Sequence, residues 1–187
     1  MQLQTERDIL ADIAADPWRM EVVRAAMALG LPDCWIGAGF VRNPVWDALH
    51  GRPPGHDFND IDVVYFEPAD LAPETDAAHE ARLRALRPEL PWSVLNMARM
   101  HLPTGDPPYR STIDGIRFWP ETATAIAIRL DADGRLELAA PFGLDDLLGL
   151  RLRPTPAVRA HHPDTYRKRL AKKNWLARWP KLEFEAI

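Results

Sequence analysis

Cysteine is nearly absent. The 187 residues contain one, Cys34, which excludes an intramolecular disulfide and any zinc site built from several thiolates. Long apolar runs are missing too. No stretch approaches the roughly 18 uncharged apolar residues of a membrane span. The opening MQLQTERDILADIAADP carries acidic residues early and no apolar centre, unlike a secretory signal. A cytoplasmic location with no membrane partner is the expectation. Nor is there a basic excess. The formal net charge is −4, so no global field draws the chain to nucleic acid, and any such contact must come from a local patch.

The chain has enough apolar residues for a core. It is 47% hydrophobic and 27% charged, a balance that excludes wholesale disorder. Its length suits one domain over 1–187, read as N-terminal helices (1–30), a central unit (34–148) and a C-terminal helical segment (149–187). The 18 prolines cluster between apolar runs and read as fixed loop corners rather than a disordered linker.

Residues 5–15 carry Ile9, Leu10, Ile13 and Ala14 at helical spacing. Asp16 caps a second helix that begins at Pro17 and ends near Gly30. Cys34-Trp35-Ile36 predicts a short strand and Gly37-Ala38-Gly39 a tight turn. FVRNPVWDALHG predicts a helix with Pro44 in its first turn. DIDVVYFE is rich in β-branched and aromatic residues, hence a strand. Residues 74–87 predict a helix, acidic first and basic last. PWSVLNMARMH predicts a second strand of similar length, and ATAIAIRL with RLELAAP a hairpin turning at Asp133-Gly134. LDDLLGL reads as a short helix, and DTYRKRLAKKNWLARW as one basic helix stopped by Pro180. The order implies an α+β or α/β-like layer with a mixed β-sheet and helices packed against it.

One run asks for a chemical explanation. NDIDVVYF puts Asp60 and Asp62 one residue apart on a strand, so both carboxylates point to one face. Like charges held so close repel unless a cation lies between them, and a divalent metal is the obvious one. Asp60 alone reads as a turn residue satisfied by backbone N–H groups; Asp62, between Ile61 and Val63, is harder to explain that way. About twenty residues earlier a glycine-bearing turn opens a helix. Its N–H groups can cradle phosphate oxygens, and Arg42 in the first helical turn can reach a phosphate. The bland readings are that Gly37 and Gly39 allow close packing, and that Arg42 pairs with Asp47 or Glu67. The tail, with Arg167, Lys168, Arg169, Lys172, Lys173 and Arg178 around Trp175 and Trp179, reads as a nucleic-acid surface, as a helix packed by its aromatic stripe with its lysines solvated, or as the source of one lysine that reaches a triphosphate.

The turn IGAGFVRN and the pair NDIDVVYF resemble the nucleotidyltransferase superfamily named after DNA polymerase β. The segments WIGAGFVRNPVWD, WSVLNMARMH, YRSTIDGIRFWPETATAIAIRL, APFGLDDLL, RPTP and WPKL further resemble one uncharacterised bacterial nucleotidyltransferase family across nearly the whole chain. The resemblance implies a nucleotidyltransferase fold and transfer of a nucleoside monophosphate from an NTP to an acceptor hydroxyl, on a small molecule, protein or RNA, with release of pyrophosphate. It implies Mg²⁺ (or Mn²⁺) held by Asp60 and Asp62, and a triphosphate held by Gly37, Gly39, Arg42 and Asn43. Members carry a third carboxylate on a later strand. Here that strand offers Asn96, an amide that can coordinate but cannot act as a base, and Glu121 or Asp114 are the substitutes, with Glu121 preferred. A silent nucleotide-binding or regulatory module is the alternative reading, and an RNA-binding protein acting through the basic helix is a third.

Overall fold

In a computed structural model describing residues 3–187, one mixed sheet organises the chain. Thr5 and Asp8 form a reciprocal cap on α1 (Glu6–Ala14). Asp16 accepts from the Trp18 and Arg19 N–H groups to start α2 (Pro17–Met27). Then come β1 (Trp35–Gly37), α3 (Gly39–Leu49), β2 (Ile61–Tyr65), α4 (Pro73–Leu86) and β3 (Trp92–Asn96). A short helix α5 (Thr112–Ile116) precedes the hairpin β4 (Ala127–Leu130) and β5 (Leu136–Ala139), whose turn uses Gly134 at φ 75°. The C-terminal part holds α6 (Asp145–Leu148), β6 (Arg151–Leu152), α7 (Pro156–His161), α8 (Pro163–Lys172), α9 (Trp175–Arg178) and β7 (Glu183–Phe184).

The sheet order is β3-β2-β1-β4-β5. β2 and β3 are parallel, joined by the α4 crossover, and the other neighbours are antiparallel. This is the mixed α+β architecture expected. Register divides the sheet into two faces. Ile36, Ile61, Val63, Tyr65, Trp92, Val94 and Ile128 share one face and belong to the larger core beneath the helices. Asp62 and Val64, with Trp35, Leu95 and Ala127 opposite them, share the other. That face packs on Met97, Tyr109 and Ile116, so a second, thinner layer of chain lies over the aspartate side.

Three sequence expectations need correction. Pro44 lies inside α3, not in its first turn; the helix continues because only one N–H is lost there. The strand expected through His101 stops at Asn96, where the Asn96 side chain accepts from the Ala98 N–H and starts a 3-10 turn, Met97–Arg99. The single basic tail helix is two helices, broken at Asn174 with φ 24°; α7 and the short β6–β7 pair were not foreseen.

Among the described residues, no helix is long and apolar enough to cross a membrane.

Candidate functional site

β1 ends in a sharp turn that aims α3 at the aspartate pair. Ala38 sits at φ 52°, ψ −121°, a backbone conformation that costs an alanine strain. Its N–H donates to the Ile126 carbonyl at 2.9 Å, which ties the turn to the segment entering β4. No side chain caps α3, and among the described residues the Gly39 and Phe40 N–H groups have no acceptor. This helix start has free donors at the positive end of its dipole, and Gly39 brings it to a cavity.

Beneath it lies a buried cation. Arg42 is 5% exposed. Its Nη1 donates to Thr124 Oγ1 at 2.7 Å and its Nη2 to Asn43 Oδ1 at 2.9 Å. Its guanidinium lies over Trp46 and Trp175, 4.8 and 5.1 Å from the ring centroids. Burial lowers its pKa to about 10, against the pull of Glu121. Among the described residues no carboxylate forms an ion pair with it, and its Nε has no partner. A cavity of about 190 Å³ opens here, lined by Gly39, Arg42, Asn43, Asp60, Lys173 and Arg178 among others.

Asp60 borders that cavity and Asp62 the next one. Burial pushes Asp62 up to about 6, Asp60 adds to this, and Arg42, Arg169 and Lys173 oppose it. Asp60 is exposed and Asp62 partly buried; neither has a hydrogen-bond or salt-bridge partner among the described residues, whereas the buried acids Asp47, Asp76, Asp106 and Glu121 each have one. The second cavity, about 320 Å³, lies over the open face of the sheet. Its walls come from Ala38, Val64 and Leu95 below, the segment from Met97 to Pro120 at the side, and α7–α8 with Arg169 above.

The remaining predicted residues fall into two groups. Asn43 and Gly39 line the polar cavity with Arg42. A Cβ on Gly39 would stand 3.4 Å from Asn43 Nδ2, ordinary contact at its limit. Gly37 is a packing glycine: a Cβ there would fall 2.5 Å from the Trp119 ring and 3.0 Å from the Ile126 carbonyl oxygen, and it lines neither cavity.

Asn96 is not brought to the site. It pairs in register with Tyr65, on the face opposite Asp62. Its Oδ1 accepts from Glu67 and Ala98 N–H groups, and its Nδ2 donates to the Glu67 and Asp70 carbonyls. Every polar atom is used in fastening the loop after β2. Asp114 pairs with Arg110. Glu121, fully buried, lines neither cavity. Its Oε1 is 2.7 Å from Arg169 Nε without hydrogen-bond alignment, so it serves as counter-ion to Arg169 and, more distantly, to Arg42.

The sequence did not single out Thr124 as the rest for Arg42, 82 residues away. Asp47 is taken by Arg178 and by Trp179, whose Nε1 donates at 2.8 Å, not by Arg42. Arg99 is paired with Asp76. The tail's Tyr166, Trp175 and Trp179 are buried, with Lys168 and Lys172 exposed, as the packed-stripe reading has it. Asp106 and His162, 3.1 Å apart, also line the sheet-face cavity; 56 residues separate them, and no local pattern joins them.

Comparison with known proteins bears on this geometry. A family model described as nucleotidyltransferase matches residues 24–184. An NMR structure described as revealing a CCA-adding enzyme head domain is 33% identical, aligns over 99% of this chain and 98% of its own, and has a TM-score of 0.89. A Thermotoga maritima CCA-adding enzyme in complex with tRNA is 17% identical with a TM-score of 0.58, and a CCA-adding enzyme in complex with CTP is 17% identical with a TM-score of 0.60. These last two share the fold alone, and this chain spans 44% of their length. No curated protein matches the sequence.

Proposed function

The chain belongs to the nucleotidyltransferase family, and from that premise we propose that it moves a nucleoside monophosphate from an NTP to the hydroxyl of an acceptor, with release of pyrophosphate and dependence on Mg²⁺ or Mn²⁺. The observation that carries this is Arg42: a buried guanidinium with no ion pair, beneath an uncapped helix start and beside two unpaired carboxylates. Such an arrangement is incomplete without an anion, and a metal-bound triphosphate supplies both missing charges.

The donor set fits the metal. Asp60 and Asp62 are hard oxygen ligands with no competing partner, and among the described residues no group of three metal-ligating side chains exists. A pair of carboxylates completed by substrate phosphates and water is the arrangement Mg²⁺ favours. Bound there, the metal would neutralise triphosphate charge and align it for in-line attack. The chain's own residues do the rest. The Gly39 N–H, Asn43 and Arg42 hold phosphate oxygens, and Lys173 closes the cavity from the end of the C-terminal helix. Thr124 and the Trp46 and Trp175 rings hold the Arg42 guanidinium in place, so its orientation is set before substrate arrives.

A second reading is a silent nucleotide-binding module. What favours it is that Asn96 lies on the face opposite Asp62 and that Glu121 lines neither cavity. Calorimetry with each of the four NTPs, with and without Mg²⁺, tests the site. Metal-dependent binding in the wild type, lost in Asp62→Asn with the fold intact, is expected; binding unchanged by that substitution would sink the assignment. Pyrophosphate release separates enzyme from silent module.

A further inference from the structure

The cavity over the open sheet face is bordered by Asp62 from the sheet and by Asp106 and His162 from the segments that cover it. Asp106 is 4% exposed at its side chain, and its Oδ1 is 3.1 Å from His162 Nε2. Its Oδ2 accepts from Thr104 Oγ1 at 2.5 Å and from Tyr109 OH at 3.3 Å. Val64, Leu95, Met97, Met100 and Phe118 supply apolar lining. Burial opposes the charge on Asp106, but hydrogen bonds from Thr104 and His162 outweigh it and hold its carboxyl below the usual range. An ionised Asp106 is acceptor-only, so its hydrogen bond with His162 uses the Nε2–H of the ring. Nδ1 has no partner among the described residues. The other charged and titratable groups around this wall are Tyr109, His161 and Arg169, with Asp62 across the cavity.

We propose that this cavity is the acceptor site, and that it takes a small molecule with an apolar, ring-sized body, a hydroxyl toward Asp62 and a hydrogen-bond donor, an amine or second hydroxyl, on His162. This rests on the nucleotidyltransferase reading and names the substrate class of that site. The volume, about 320 Å³, is at the small end of ligand pockets and suits one ring with short substituents. The polar cavity beyond Asp60 offers Asp57, Asn59 and Asn174 to sugar and base. The sheet-face cavity adds Val64, Leu95, Met97, Met100, Phe118 and Trp119 to its polar groups, which matches a molecule with an apolar body. An RNA end, whose charge lies along its whole length, meets no run of free cations here, because Arg169 is already held by Glu121.

Tyramine, an aromatic ring with a hydroxyl at one end and an amine at the other, is the probe. The full chain has five methionines, and methyl-labelled Met97 and Met100 report on the cavity wall by NMR. Tyramine at pH 7.5 is expected to shift these two methyls saturably. His162→Gln, at a half-buried position, and the isosteric Asp106→Asn should each weaken this binding about tenfold, the loss of one charge-assisted hydrogen bond. Mg²⁺-NTP affinity should be unchanged in both. The proposal is overturned if tyramine leaves the methyls unmoved, if both variants bind it as the wild type does, or if an NTP or a short single-stranded RNA shifts the same methyls and excludes it. Failure of the nucleotide reading looks different: tyramine binds while no NTP does.

Discussion

Asp62 is a residue whose charge the empty fold resists. Its folded-state pKa, about 6, lies above the unfolded value near 3.8, so the folded state pays for ionisation that the unfolded chain does not. Below pH 4 the group is protonated in both states and costs nothing; above pH 6 the full cost applies. Metal-free Asp62→Asn should therefore melt higher than wild type at pH 8, and the gap should close as pH falls through 6 toward 4. Thermal unfolding at a series of pH values checks this, and a constant gap would refute it. Ala38 is a second residue under tension. Ala38→Gly removes the Cβ from a left-handed conformation and should stabilise the chain by roughly 1 kcal/mol in equilibrium urea unfolding. Strain at the turn between β1 and α3 is stored where the helix start is aimed.

At the scale of elements, β3 shows why Asn96 does not reach the aspartates. Asn96 follows a strand pattern and is the only amide on it, so sequence spacing drew it toward the aspartates. Parity settles the matter: Asp62 pairs with Ser93, and Asn96, three residues on, faces the helices. Asn96→Asp would set a charge against the Glu67 and Asp70 carbonyls. The expected result is a loss of about 3 kcal/mol or more of stability and no gain in pyrophosphate release. Gly37→Ala is the companion test on β1. The Ile126 carbonyl cannot yield as a side chain can, so the Trp119 ring must move, and Trp119 lines the sheet-face cavity. Destabilisation with a change in Trp fluorescence is expected, and an unaltered melting curve would refute the packing account. Element types were legible because local patterns decide them: the Asp16-Pro17 helix start, the β-branched run of β2, the glycine turn at 134. Their ends were less so. The β3 run stopped early because Asn96 capped it, and the tail broke because Asn174 turned left-handed.

For the whole molecule, the part of the site written in one stretch was readable and the part assembled from distant stretches was not. Gly39, Arg42, Asn43, Asp60 and Asp62 come from two neighbouring segments, and the structure gathers all of them around the polar cavity and its edge. Thr124 meets Arg42 across 82 residues of sequence, and Glu121 and Arg169 likewise act from distant stretches, through burial rather than pattern. The C-terminal helices are part of that core. Trp175 and Trp179 meet Trp46 edge-on, with ring centroids 5.9 and 5.1 Å away. Each such aromatic is worth about 3–5 kcal/mol on removal, against a typical total of about 5–15. A chain ending at His162 should therefore show no cooperative unfolding transition by circular dichroism; a truncated form that melts as the full chain does would make the tail an appendage. The last turn of α8 carries Arg169 into one cavity and Lys173, four residues on, to the other. Ligands on both sides thus share one piece of backbone. Whichever binds first bears the ordering of that turn for both, so nucleotide and acceptor are expected to raise each other's affinity by the same factor. On that proposal, the joint between the two pockets would make the protein a detector of coincidence, each substrate held more weakly until the other is present.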